Sequence, residues 1–148
     1  FWFAGALLQA NIVPFGKVTL GLNETQLSMM QVPLAMGIGL GAVAAGFLSR
    51  GKIEVGLIPL GALGMTVFCA LLAMSAFSFN SVLLLLFCLG AAGGVFDVPL
   101  AATIQQRAPQ WMRGGMLATV NMLTFVGILG AGGFMWLLSD WNVSPYIV

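Results

Sequence analysis

Residues 55–96 read VGLIPLGALGMTVFCALLAMSAFSFNSVLLLLFCLGAAGGVF, a run without one charged side chain. A helix rises about 1.5 Å per residue, so the ~30 Å hydrocarbon core of a bilayer takes about 20 apolar residues to cross. The run is twice as long as one crossing needs. Ser78-Phe79-Asn80-Ser81 lies near its middle and supplies turn residues. It therefore divides into two helices, at about 55–77 and 81–106.

Outward from this run, residues 1–16, 25–49 and 114–139 are also free of charge. They predict helices at about 1–21, 25–48 and 114–138, with another beginning near 144. The expectation is an all-α membrane fold of five complete transmembrane helices plus the start of a sixth. The runs lack the alternation of a membrane barrel. Asn23-Glu24-Thr25-Gln26 places cap-type residues and an acid at the start of the second helix. Ala108-Pro109-Gln110 closes the fourth.

Composition agrees. Of 148 residues, 60% are hydrophobic and 6% charged, against about 25% charged in soluble domains. Five basic and four acidic side chains cannot coat a globule of this size. A net charge of +1 without clustered Lys and Arg gives no footprint for nucleic acid. The chain has no His, which removes the commonest general base and metal ligand. Its acids are scattered, so neither an enzyme, a metal site nor a cofactor is expected. Cys69 and Cys88 sit in apolar runs and read as small hydrophobes. FWFAGALLQAN at the start has neither a basic segment nor a cleavage site of a signal peptide. Without an initiator Met, and with Ser144-Pro145-Tyr146-Ile147-Val148 opening a new helix, the chain reads as a fragment.

Basic residues set the orientation. Arg50 and Lys52 follow the second helix, Arg107 and Arg113 flank the loop after the fourth, and Lys17 stands alone near the other side. The loops at 49–54 and 107–113 are thus expected to be cytoplasmic. Trp2, Trp111, Trp136 and Trp141 fall near helix ends, as an interfacial aromatic belt requires.

An offset of about 86 residues recurs. Asn11-Ile12-Val13-Pro14 in the first helix matches Asp97-Val98-Pro99 in the fourth, and Gly46-Phe47 in the second matches Gly133-Phe134 in the fifth. The chain then reads as one transporter domain over 1–148, with repeat units of about 1–77 and 81–148. Three helices per unit is an odd number, so the copies cross in opposite senses. Such inverted repeats build each six-helix half of major facilitators, and the chain is similar to the C-terminal half of a transporter of that superfamily. Gly37-xxx-Gly41-xxx-Ala45, Gly90-xxx-Gly94 and Gly127-xxx-Ala131 are spaced for close helix contacts. None opens a helix after a strand, so they do not bind phosphate. The nine Met residues read as packing.

Asp97 is the leading functional candidate. It stands ten residues before Arg107, ~15 Å in from the cytoplasmic end and near the midplane. A carboxylate there costs about 3 kcal/mol on insertion scales. Pro99 cannot donate to the carbonyl of Val95, and Gly93-Gly94 precede the acid. With Pro14, these residues predict helix breaks of the kind that hold substrate or ions in transporters. The competing reading is a structural hydrogen bond or ion pair with the rest of the protein. Asn121, Gln31, Asn11 and Gln9 are further candidates for substrate or coupling contacts, against interhelical hydrogen bonds. Arg50, Lys52, Gln105, Arg107 and Arg113, with Gln106, form a cytoplasmic gate or lipid-headgroup contact, or simply anchor the helix ends.

Two stretches carry a closer resemblance. One is Leu48-Ser49-Arg50-Gly51-Lys52-Ile53-Glu54-Val55-Gly56-Leu57-Ile58-Pro59-Leu60-Gly61. The other is Gly93-Gly94-Val95-Phe96-Asp97-Val98-Pro99-Leu100, continuing through Gln105, Arg107 and Pro109 to Arg113-Gly114, Leu117-Ala118 and Asn121. Both resemble the bacterial lysophospholipid transporters, in particular forms fused to an acyltransferase and an acyl-acyl-carrier-protein synthetase. The resemblance covers most of the chain, from what would be the seventh helix to the start of the twelfth. It implies movement of lysophospholipid, chiefly lysophosphatidylethanolamine, to the cytoplasmic leaflet of a bacterial inner membrane for reacylation. It marks Pro99, Gln105, Arg107, Arg113 and Asn121 as positions to test. The chain departs at Asp97, where the resemblance leads to an apolar residue, and at Ala101, where it leads to Asn. The facilitator signature Gly-x-x-x-Asp-Arg is also incomplete, since Gly46 is followed by Arg50 without the Asp.

The expected partners are membrane lipid, an amphiphilic or small-molecule substrate, a missing N-terminal transporter half, and a fused or associated acyltransferase. In the leading reading the first and fourth helices line a cavity that works by alternating access. The alternatives are a proton-coupled small-solute or drug efflux transporter, and a non-transporting membrane anchor for an acyltransferase.

Overall fold

Asn23 and Gln26 show how local chemistry starts a helix here. The Asn23 Oδ1 accepts the Gln26 amide at 2.9 Å, and the Gln26 Oε1 accepts the Asn23 amide at 3.1 Å. This reciprocal box satisfies donors that a helix start leaves open, and Glu24 in the first turn suits its positive end. The computed structural model describes residues 1–49, 53–74 and 78–140. These form five helices: α1 (Trp2–Val18), α2 (Glu24–Ser49), α3 (Leu57–Ala73), α4 (Phe79–Arg107) and α5 (Arg113–Asp140). No strand occurs among the described residues.

Each expected segment coincides with one helix, and the differences lie at the ends. α1 stops at Val18 rather than near 21. Gly21 turns the chain at a φ of 62°, and the Leu22 amide reaches back to the Gly16 carbonyl at 3.1 Å. At the start of α4, Ser78 and Ser81 share a hydroxyl hydrogen bond of 3.0 Å. Between α4 and α5, the Met112 amide bonds the Pro109 carbonyl at 3.0 Å. The residues 75–77 expected to end α3, the helix expected from 144, and Trp141, Arg50 and Lys52 lie outside the described residues.

Three helices are long and apolar enough to cross a membrane: Glu24–Ser49, Phe79–Arg107 and Arg113–Leu138. α3 is apolar but, like α1, has 17 residues, ~26 Å at the usual rise. Expecting five complete spans from gaps between charges overcounted helix length, because uncharged turn residues such as Val55-Gly56 and Met74 widen a gap without adding helix.

Contacts group the chain into two units, Ser28–Arg107 and Phe1–Leu27 with Ala108 onward. In the first, α2 and α4 meet backbone to backbone. A Cβ on Gly41 would strike the Ala91 carbonyl, and one on Gly37 the Phe87 carbonyl. From the other side, a Cβ on Gly90 would strike the Leu34 carbonyl, and one on Gly94 the Ile38 carbonyl and, at 2.6 Å, the Ala42 nitrogen. Lipid tails are as apolar as Leu, so such close packing, not hydrophobic expulsion, holds membrane helices together. α3 approaches the opposite side of α4, where a Cβ on Gly61 would come within 2.7 Å of the Phe96 nitrogen.

In the second unit α1 packs on α5. Phe3 is seated against Gly127 and Gly130, and its ring lies 6.0 Å from that of Phe134. The contact runs along Leu117, Val120, Thr124, Gly127 and Ala131, the less exposed stripe of α5 at helical spacing. The two units share a detail at the 86-residue offset. Gly41 and Gly127 both meet a neighbouring helix, and Ala45 and Ala131 are each 1% exposed. The Gly46-Phe47 and Gly133-Phe134 pairs, by contrast, are exposed.

Candidate functional site

Asp97 lies on α4 at the end of a series, Leu86, Gly90, Gly93 and Asp97, whose intervals of four, three and four keep them on one face. The first three are buried and Asp97 is half-buried, so the carboxyl belongs to the packed side of α4. Of its neighbours one turn away, Gly93 and Gly94 before it and Ala101 after it are small, and Leu100 is not. A Cβ built on Gly93 would lie 3.9 Å from the Met65 sulfur, an ordinary van der Waals contact.

The expected helix breaks are not found. α4 is continuous through Gly93, Gly94 and Pro99, and α1 through Pro14. Pro99 removes one bond to the Val95 carbonyl, but the bonds on either side preserve the helix. Thr103 adds another, its Oγ1 donating to the Pro99 carbonyl at 2.7 Å. Asp97 also lies two residues, about 200°, around the helix from Val95. The carbonyl left without its usual partner therefore faces away from the carboxyl, and the two do not form one polar group.

The other candidates divide between the units. Gln31 is half-buried on α2, in the unit that holds Asp97, and no hydrogen bond joins the two among the described residues. Asn11 is half-buried on α1 with its Oδ1 buried, while Gln9 on α1 and Asn121 on α5 are exposed. Gln105, Gln106 and Arg107 are exposed at the end of α4, and Arg113 is exposed at the start of α5. Trp111 between them is 84% exposed, as an interfacial anchor should be. Cys69 and Cys88 are free thiols, and no three His, Cys, Asp or Glu side chains cluster among the described residues. Sequence reasoning missed the Thr103 bond, though a hydroxyl four residues after a proline was its signal. It also missed the Gly61 contact, where Gly61 stands four residues after buried Leu57.

No family model matches the chain, and no solved structure does. Curated relatives do. The lysophospholipid transporter LplT of Klebsiella pneumoniae is 32% identical over 151 aligned positions, covering 100% of this chain and 37% of the relative. The proteins of the same name from Serratia proteamaculans and Yersinia enterocolitica are each 32% identical over 124 residues, covering 83% of this chain and 31% and 30% of theirs. The chain thus spans about a third of the length of the curated relatives it matches. All three are named as transporters, not enzymes. Long apolar helices joined through glycines, together with this similarity, mark an integral membrane protein that resembles the lysophospholipid transporters.

Proposed function

We propose that the chain is the C-terminal half-bundle of a major-facilitator-type transporter that moves lysophospholipid across a bacterial inner membrane for reacylation by an acyltransferase. The observation that carries this reading is similarity to proteins named lysophospholipid transporters over the full length of the chain. In it α1 and α3 also cross the bilayer, since 17 residues is the lower end of the spanning range of about 17–25. A sixth span starts near 144, and the units 1–77 and 81–148 are inverted copies. The shared use of Gly41 and Gly127, and of Ala45 and Ala131, on equivalent helix pairs supports that symmetry. Asp97, Asn121, Gln31, Asn11 and Gln9 are the substrate or coupling residues. Arg50, Lys52, Gln105, Arg107 and Arg113 form the cytoplasmic rim that meets phosphate headgroups.

The full-length protein reconstituted in vesicles should move labelled lysophospholipid between leaflets, with or without a pH gradient. Gradient-dependent uptake of a soluble solute, without lipid movement, would establish a proton-coupled solute transporter instead. No flux of lipid or solute would leave an anchor.

A further inference from the structure

We infer that the turn leading into α5 docks on anionic phospholipid of the membrane, with Trp111 seated at the interface and the arginines of this stretch drawing the phosphates. The inference rests on the membrane-facing rim proposed above and deepens it: the partner named is a resident lipid of the bilayer, not the transported one.

Charge is distributed to favour an anion here. From 98 to 139 the chain holds Arg107 and Arg113 and no acid. Both arginines are exposed, and among the described residues neither is engaged by an ion pair or a hydrogen bond. The turn between α1 and α2 differs, since Lys17 before it is balanced by Glu24 after it.

Trp111 fixes the depth. At 84% it is the most exposed large hydrophobic side chain among the described residues. It does not hang on a loose loop. The Met112 amide donates to the Pro109 carbonyl at 3.0 Å, the Met116 amide donates to the Met112 carbonyl at 2.9 Å, and Ala108 is buried. An indole held out in water is costly. At headgroup level its ring meets apolar surface while its N–H keeps a polar partner. That depth brings Arg113, two residues on, among the phosphates. A guanidinium forks onto two phosphate oxygens. A zwitterionic headgroup brings its own ammonium, which repels an arginine, whereas phosphatidylglycerol brings net negative charge and no cation. The turn therefore prefers the anionic lipid.

The test uses full-length protein with its other cysteines replaced by Ala and a fluorophore on Gln110→Cys, in phosphatidylcholine vesicles. A minor fraction of the lipid carries brominated acyl chains, as phosphatidylglycerol in one arm and phosphatidylcholine in the other. Bromine quenches only a fluorophore it reaches, so quenching reports which lipid sits at the turn. At low salt the brominated phosphatidylglycerol should quench about fivefold more effectively, the factor one arginine contributes at an anionic surface. Arg107→Gln combined with Arg113→Gln should bring the ratio to about one, and high salt should remove most of the preference. Trp111→Ala should weaken quenching by both lipids. A fluorophore on Ser78→Cys, at the far end of α4 and distant in the chain from any charge, should show no preference. Equal quenching at Gln110→Cys, or a preference that survives loss of both arginines, would overturn the inference and leave the turn to a protein partner. Flux is not the readout, so a protein that moves no lysophospholipid would sink the transport reading and leave this inference standing.

Discussion

At the scale of the residue, the sign of one stability change separates a functional acid from a structural one. An unpaired carboxylate at mid-depth is a cost of about 3 kcal/mol on insertion scales, and helix propensity favours Ala over Asp. Asp97→Ala should therefore leave the protein inserted and its thermal midpoint unchanged or raised, while the proposed lysophospholipid transport falls. That trade is common where a strained group serves activity. A lowered midpoint in detergent would mean that Asp97 holds the fold through a partner elsewhere in the protein. The oddity of Asp97 was legible in the sequence, because an acid in an apolar run needs no coordinates to be conspicuous. Its relation to Pro99 was not. That required the azimuth of each residue and the fact that neighbouring hydrogen bonds carry α4 across the proline.

At the scale of the element, glycines divide by what lies opposite them. Gly94 faces the α2 backbone, whereas Gly39 and Gly132 have nothing within 4 Å of a Cβ. Gly94→Val should force α2 and α4 apart and lower the stability of purified protein by about 1–3 kcal/mol, the usual range for overpacking. Gly39→Ala and Gly132→Ala should be neutral or gain up to about 1 kcal/mol from helix propensity. Thermal unfolding in one detergent ranks all three, and a Gly94→Val protein as stable as wild type would remove the backbone contact. Spacing alone named Gly37, Gly41, Gly90 and Gly94 as contact residues, since positions four apart share a helix face. It could not say that α2 and α4 are partners, because partner choice is a property of three dimensions. It missed Gly61 because its companion on α3, Gly64, stands three residues on and not four.

At the scale of the whole molecule, the crossing of the short helices decides the topology. Charge gaps give the number of apolar segments, but only the length of helix inside a segment decides a crossing. α3 has 17 residues, ~26 Å, against a core of ~30 Å. The flanking Val55-Gly56 and Met74 are uncharged, and a bilayer thins around a short span at modest cost, so α3 should cross. If it does, Glu54 and Ser78 stand on opposite sides. α4 then returns the chain, so Gln110 shares the side of Glu54, and Asn23 shares that of Ser78. In full-length protein with Cys69 and Cys88 replaced by Ala, single substitutions Glu54→Cys and Gln110→Cys should react with an impermeant thiol reagent from one face. Asn23→Cys and Ser78→Cys should react from the other. The basic loops lead us to expect the first face to be the cytoplasmic one. Labelling of Glu54→Cys and Ser78→Cys from the same face would mean that α3 lies along the membrane. An inverted pair of three-helix units would then be impossible, because each copy needs an odd number of crossings to reverse the next.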